Sequence, residues 1–140
     1  MSKIPRRLAT ATALMIFAAY AAAAQGNSLA CNIQVNVTGG TPGDAYVRDF
    51  VLQQGVAFTD DFSTPTRQRS FDAVMAREGS NWVVSINYFN DIGVFDALGF
   101  STRLTVTSGT TTTSGTTDFA TSLPSARRYV AAYTLSCRRN

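Results

Sequence analysis

The feature that most constrains this chain is a pair of alternating stretches near its two ends, each containing one of its two cysteines. In residues 31–38, apolar side chains at odd positions alternate with polar side chains at even positions. Residues 129–137 place Tyr, Ala, Leu and Cys at their odd positions in the same way, although two of the four even positions, Val130 and Ala132, are apolar. A period of two indicates a β-strand with one buried face. Cys31 and Cys137 both continue the inward row of such a strand.

The placement of these cysteines predicts a disulfide that ties the first strand to the last. A bridge between Cys31 and Cys137 closes a loop of roughly 100 residues, which contributes about 4–5 kcal/mol in the chain-entropy account. The chain has no histidine, so the usual mixed zinc ligand sets are excluded. Two buried free thiols are the alternative.

Residues 1–24 have the three parts of a secretory signal peptide. The chain opens with Lys3, Arg6 and Arg7, continues with an apolar run, and ends this segment in four alanines. The run is shorter than the roughly 20 residues of a membrane span, so we expect cleavage after Ala24 and no stable membrane insertion afterwards. An uncleaved anchor and a lipid attached at Cys31 are the alternatives. The protein is therefore predicted to be secreted or periplasmic, where cysteines pair.

Cleavage changes the charge balance of the remaining chain. The full sequence has 12 basic and nine acidic residues, and three of the basic residues lie in the signal. The mature part is formally neutral, which gives no reason to expect binding to nucleic acid. Residues 25–140 have the length of one ordinary domain, and we predict a single domain there.

Short strands separated by turn signals predict an all-β fold. The strongest strand is 82–89, which carries aromatic and β-branched residues on both faces and is expected to be central in its sheet. Residues 59–66 and 90–99 are predicted to be loops. About seven strands and no convincing amphipathic helix favour a single-domain antiparallel β-sandwich, immunoglobulin-like by strand count.

Residues 107–117 consist almost entirely of Thr, Ser and Gly. Such a composition is compatible with a disordered linker, but threonine favours strands. We predict a turn at Ser108 and Gly109, followed by a polar edge strand over about 111–121.

The residues needed for most enzyme chemistry are missing. The chain has no histidine and its one lysine is Lys3, so Ser-His-acid, Cys-His, Ser-Lys and Schiff-base mechanisms are excluded in the mature part. No phosphate-binding or dinucleotide motif is present. The sequence therefore predicts no catalytic residue, no cofactor and no enzyme. Asp60 with Asp61, and Asn90 with Asp91, are interpreted as turn residues rather than as calcium or other metal ligands.

Three apolar residues in the predicted loop 90–99 form a possible contact loop. Val94, Phe95 and Leu98 either fill an end of the core or are exposed to bind a partner. The arginines that flank the last strand, at 127–128 and at Arg138 and Arg139, are interpreted as guards of a sheet edge, with a small basic patch as the alternative. Four aromatic residues lie mostly in inward rows, which favours core packing over a binding platform: Trp82, Tyr88, Tyr129 and Tyr133.

Three functions of different classes are compatible with the sequence. The first is a non-catalytic module that acts through protein–protein contact, such as a binding module, an inhibitor or a chaperone-like protein. The second is a structural subunit of an extracellular fibre or surface assembly, in which the threonine-rich strand pairs with another chain. A small secreted hydrolase is a distant third. The expected partner is an unknown protein or a second copy.

Overall fold

The computed structural model describes residues 27–39, 44–91, 97–120 and 128–140. These residues form two sheets of four antiparallel strands and no helix, so none of them provides a helix that could cross a membrane. The strands are β1 (Ser28–Thr38), β2 (Tyr46–Gln53), β3 (Phe58–Asp61), β4 (Arg69–Glu78), β5 (Asn81–Asp91), β6 (Ala97–Val106), β7 (Thr110–Ala120) and β8 (Arg128–Arg139). The predicted antiparallel β-sandwich is confirmed. The predicted signal peptide, 1–24, lies outside the described residues.

One sheet is built from the two ends of the chain and the other from its middle. We call the sheet β2-β1-β8-β7 the terminal sheet, because it holds the first and last strands, and the sheet β3-β4-β5-β6 the middle sheet. Every hydrogen-bonded neighbour is adjacent in sequence, apart from β1 with β8, so the connectivity is up-and-down. It differs in this respect from the Greek key of immunoglobulin domains. The β2/β3 seam and the β6/β7 seam are the two places where an edge of one sheet faces an edge of the other.

Strand boundaries differ from the predicted ones in two places. Residues 58–61 form β3, although 59–66 had the polar composition of a loop, because Phe58–Asp61 pairs with β4 at a sheet edge where half of its side chains meet water. The predicted loop 90–99 is also shorter. Asn90 pairs with Leu98 and Asp91 pairs with Ala97, so both β5 and β6 extend into it.

The core lies between the inward rows of the two sheets. On β5 this row is Trp82, Val84, Ile86 and Tyr88, and all four side chains are buried. The strand pairs with β4 on one side and β6 on the other, which confirms its predicted central place. Burial of each such side chain stabilises the fold by about 1.5–3 kcal/mol relative to an exposed position.

The predicted disulfide is present. Cys31 and Cys137 are directly opposite each other on β1 and β8, with their Cα atoms 4.1 Å apart. Both residues are buried in the inward row. The bridge spans 106 positions of sequence, so it constrains nearly all of the described chain.

The strand directions place the connections unequally at the two ends of the sandwich. Residues 54–57 and 107–109, which cross between the sheets, lie at the end where Asn140 donates a backbone hydrogen bond to Ser28. Gly55 and Gly109 have φ values of 78° and 60°, which glycine adopts without the steric cost of a side chain. At the opposite end, β1, β3, β5 and β7 end and β2, β4, β6 and β8 begin.

Candidate functional site

The predicted contact loop divides into a part that the structure places and a part that it does not describe. Leu98 lies on β6 and is fully buried. Of the two alternatives for Leu98, its inward position on β6 agrees with a place in the core rather than with an exposed contact. Val94 and Phe95 lie outside the described residues.

The aromatic side chains pack inside the sandwich. Trp82, Tyr88 and Tyr129 are buried and Tyr133 is partly buried, as the prediction of core packing required. Five rings form a continuous row from the β2/β3 seam to the β6/β7 seam. Successive centroids lie 4.5, 5.9, 5.2 and 4.5 Å apart along Phe62, Tyr46, Tyr88, Phe100 and Tyr133.

A buried polar cluster lies where β5 ends, at the end of the sandwich opposite to Ser28 and Asn140. The guanidinium of Arg67 donates to the Asp44 carboxylate at 2.7 Å, to the Asn90 side-chain oxygen at 3.1 Å and to the Asp91 carbonyl at 2.6 Å. Asn90 donates in turn to the hydroxyl of Tyr88 at 3.2 Å. Burial raises the pKa of Tyr88, although the hydrogen bond from Asn90 opposes the shift. The cluster links three segments of the chain that are distant in sequence, which is typical of a polar group that stabilises the fold.

A second polar group closes the β2/β3 seam. The hydroxyl of Tyr46 donates to Asp60 at 2.8 Å, and the guanidinium of Arg48 forms an ion pair with the same carboxylate at 2.9 Å. Burial and the neighbouring carboxylate raise the pKa of Tyr46 well above its usual value. Asp60 is thereby engaged in holding β2 against β3.

Asp61, the last residue of β3, also makes a local hydrogen bond. Asp61 accepts the backbone N–H of Ser63 at 3.0 Å, and its hydrogen bonds from Ser63 lower the pKa of the Asp61 carboxyl. An aspartate that accepts the N–H two residues on is typical of a turn. Within the described residues, no three His, Cys, Asp or Glu side chains lie together as metal ligands.

The outer face of the terminal sheet carries an open depression of about 520 Å³. Residues on this face alternate with the buried ones along each strand, and small side chains at Ala30, Ser136 and Thr110 leave the space. The depression is lined by Ala30, Cys31, Asn32, Asp49, Phe50, Val51, Thr110, Ser136, Cys137 and Arg138.

The lining combines an apolar floor with two charges of opposite sign. Val51, which pairs with Ala30 in register, exposes 55% of its surface to solvent. Asp49 accepts a hydrogen bond from the Asn32 amide at 2.7 Å. In the described part of the chain, Arg138 has no hydrogen bond or ion pair from its guanidinium, so its donors are directed to solvent.

The role predicted for Arg138 needs correction. It was interpreted as a guard of a sheet edge, but β8 lies between β1 and β7 and has no free edge. Its even position on β8 places it on the outer face, beside Ala30 of β1. The sequence contains the alternation that puts Ala30, Val51 and Arg138 outward, but not the strand order that makes them neighbours.

Comparison of the chain with protein-family models finds no match. Comparison with curated proteins also finds no match.

Proposed function

We propose that this protein is an exported, non-catalytic module that acts through contact with another polypeptide, and that the depression on the outer face of the terminal sheet is its contact surface. The observation that carries the proposal is the combination of an apolar floor, formed by the partly buried Ala30 and the exposed Val51, with the solvent-directed guanidinium of Arg138. Exposed apolar surface rimmed by polar residues marks interaction sites.

The chemistry of the depression indicates the kind of segment it binds. Arginine recognises carboxylates through paired N–H donors, and the floor fits a small apolar side chain. Val47 lies two residues from Asp49 on the same face and is 62% exposed, which extends the apolar surface along β2. The best ligand is an extended peptide with a carboxylate next to an aliphatic residue.

Two further observations support export and a non-catalytic role. The Cys31–Cys137 disulfide fits a compartment outside the reducing cytoplasm, in agreement with the predicted signal at 1–24. The described polar clusters around Arg67 and Asp60 hold segments of the fold together through their own hydrogen bonds. The secreted or periplasmic location remains part of the proposal.

Selection from a random peptide library tests the contact surface. Oxidised residues 25–140 are immobilised, and the enriched peptides are expected to contain Asp or Glu beside a small aliphatic residue. Val51→Asp should abolish their binding by placing a negative charge on the apolar floor. Arg138→Gln should weaken binding of these peptides at least tenfold, because their carboxylate loses its charged partner.

Val74→Asp is the matched control. Val74 is also an exposed valine, 46% accessible, but it lies on β4 in the middle sheet. It should fold and bind like the unmodified protein. Selected peptides that bind equally well to Val51→Asp and Arg138→Gln, or a library with no enrichment, would contradict the proposal.

The second candidate, a structural subunit of an extracellular assembly, is favoured by one specific observation. The threonine-rich strand β7 lies at an edge of the terminal sheet and pairs with β8 alone. Its free side is available for a strand of another chain.

A further inference from the structure

The sandwich has four edge strands, and they are not equally protected. The edges are β2 and β7 in the terminal sheet and β3 and β6 in the middle sheet. An edge strand presents unpaired backbone groups that pair readily with another strand. Proteins suppress such pairing with charges, prolines, bulges or very short strands.

Three of the four edges carry such protection. β2 has Arg48 and Asp49 in its middle, and β3 has only four residues, two of which are Asp60 and Asp61. The Arg48–Asp60 ion pair also holds these two edges against each other. β6 carries Arg103, whose guanidinium lies 2.6 Å from a carboxylate oxygen of Glu78 on β4.

The fourth edge, β7, has none of these features over most of its length. It pairs with β8 through eleven consecutive residues without a bulge. Residues 110–117 contain only Thr, Ser and Gly, with no charge and no proline. Thr112, Ser114 and Thr116 face the solvent side of the terminal sheet.

Among the described side chains of β7, those of 110–117, none forms a hydrogen bond to β6 across the β6/β7 seam. Tyr133 of β8 donates to Thr102 of β6 at 3.1 Å and stacks on Phe100. Gly115 allows this, since a Cβ there would lie 2.8 Å from the Tyr133 hydroxyl. Among the described β7 side chains, those of 110–117, the sole hydrogen bond joins Thr112 to Ser136 within the same sheet.

We infer that β7 pairs antiparallel with β7 of a second copy of this chain, so that two terminal sheets join into one sheet of eight strands. A twofold axis perpendicular to the sheet keeps the outer residues of both copies on one face. No charges meet within 110–117, and apart from Gly115 every residue there is Thr or Ser, whose cross-strand pairs are favourable. Of the four edges, β7 is the one whose sequence and side chains leave it open to an identical strand.

The resulting contact is closed. A twofold interface uses the same patch on both copies, so it stops at two chains and does not propagate into a filament. The inference therefore predicts a pair of chains, and a larger assembly would need a second contact surface. The proposed peptide-binding surface lies mainly on β1, β2 and β8, and it shares Thr110, at one end of β7, with the pairing segment.

Light scattering after size exclusion of oxidised residues 25–140, across a concentration series, tests the pairing. The mass is expected to rise twofold, from one chain to two. A Ser114→Lys, Thr116→Lys double variant should lose this rise, because four lysines meet across the axis. The corresponding Ser114→Glu, Thr116→Glu variant should also stay at one chain. An equimolar mixture of the two should recover the two-chain mass through opposite charges.

Gln34→Lys is the matched control, because it lies in the same row of the outer face as Ser114 but two strands from the edge. It should associate like the unmodified protein. A mass of one chain at every concentration, or charged variants that associate unchanged, overturns the inference. Thermal melting confirms that each variant is folded. Binding of the selected peptides is also measured for the lysine variant. If this variant binds them while remaining one chain, the contact function does not depend on the pairing.

Discussion

The two edges of the terminal sheet are joined to the middle sheet in different ways. At the β2/β3 seam, the edge strand uses its own side chains: Tyr46 and Arg48 both contact Asp60 of β3. Phe50 of β2 stacks on Phe58 of β3, with centroids 5.0 Å apart. The edge of β2 is thereby fastened by polar and apolar contacts along its length.

At the β6/β7 seam, a ring stack and a side-chain hydrogen bond come from the strand beside the edge strand. The contact to Phe100 and Thr102 of β6 comes from Tyr133, which belongs to the interior strand β8 and passes under Gly115 of β7. The comparison shows that a side-chain hydrogen bond across a seam can come from the strand beside the edge strand. In 110–117, the backbone groups of β7 that point away from β8 are then left for another strand.

The disulfide lies on β1 and β8, between the two edges, and its removal has the largest expected effect. Replacing Cys31 and Cys137 together by Ala should lower the free energy of unfolding by about 4–5 kcal/mol. Urea denaturation followed by signals from β2 and β7 should show one common midpoint. Early loss of one edge would show that the bridge supports the two edges unequally.

Leu98 tests whether the middle-sheet side of the β6/β7 seam is core. Leu98→Ala should lower the free energy of unfolding by about 2–5 kcal/mol, since its side chain is fully buried. Val74→Ala, at an exposed position, should change it by less than about 0.5 kcal/mol. If urea denaturation gave equal changes in the free energy of unfolding for the two variants, the burial of Leu98 would be contradicted.

A substitution at Gly115 tests whether the Tyr133 ring reaches β6 through the space beneath β7. Gly115→Ala should lower the free energy of unfolding by about 1–3 kcal/mol, because the new methyl group displaces the Tyr133 ring from Phe100 and Thr102. The same change in a Tyr133→Ala background should have little effect. A double-mutant cycle measures the difference. A cost that does not depend on Tyr133 would show that the ring does not use this space.

Asp60 tests the fastening of β2. Asp60→Asn should lower the free energy of unfolding by about 1 kcal/mol, since the ion pair with the half-exposed Arg48 is screened by solvent and the Tyr46 hydroxyl keeps an oxygen acceptor. Asp72→Asn on β4 has the same chemistry without a contact to the terminal sheet and is the control. Chemical denaturation that gives the same result for both would argue against a fastening role.

Alkaline pH should loosen the β2 edge with no effect near neutrality. The raised pKa of Tyr46 means that the folded chain keeps a proton that the unfolded chain releases near pH 10. The free energy of unfolding therefore falls as pH rises above about 10. Tyr46→Phe should reduce this slope, while Tyr88, whose pKa is also raised, retains part of it. Denaturation between pH 8 and 11 measures how the free energy of unfolding depends on pH. If Tyr46→Phe left this dependence unchanged, Tyr46 would not be its source.

Local alternation was enough to predict part of the fold. The inward rows ending in Cys31 and Cys137 and the bulky strand around Trp82 follow from residues next to each other in sequence. Strand β3 was missed because Thr59, Asp60 and Asp61 are polar, and only an edge position makes a polar strand stable.

The candidate site depends on strand order, which periodicity does not contain. Ala30, Val51 and Arg138 come from three strands separated by 20 to more than 80 positions, and they meet because β1 lies between β2 and β8. The Asp44–Arg67–Asn90 cluster was missed for the same reason. The sequence pattern placed Leu98 in a loop, whereas β6 already begins at Ala97.

Residue-resolved amide hydrogen exchange at low and high protein concentration tests the central claim, that β7 is the open edge and β2 the closed one. Amides in 110–117 that point away from β8 should exchange quickly at low concentration and become protected as two copies pair. Amides of β2 should not change with concentration. Protection that rises on β2 instead, or β7 amides that exchange alike at both concentrations while the mass doubles, would contradict the account.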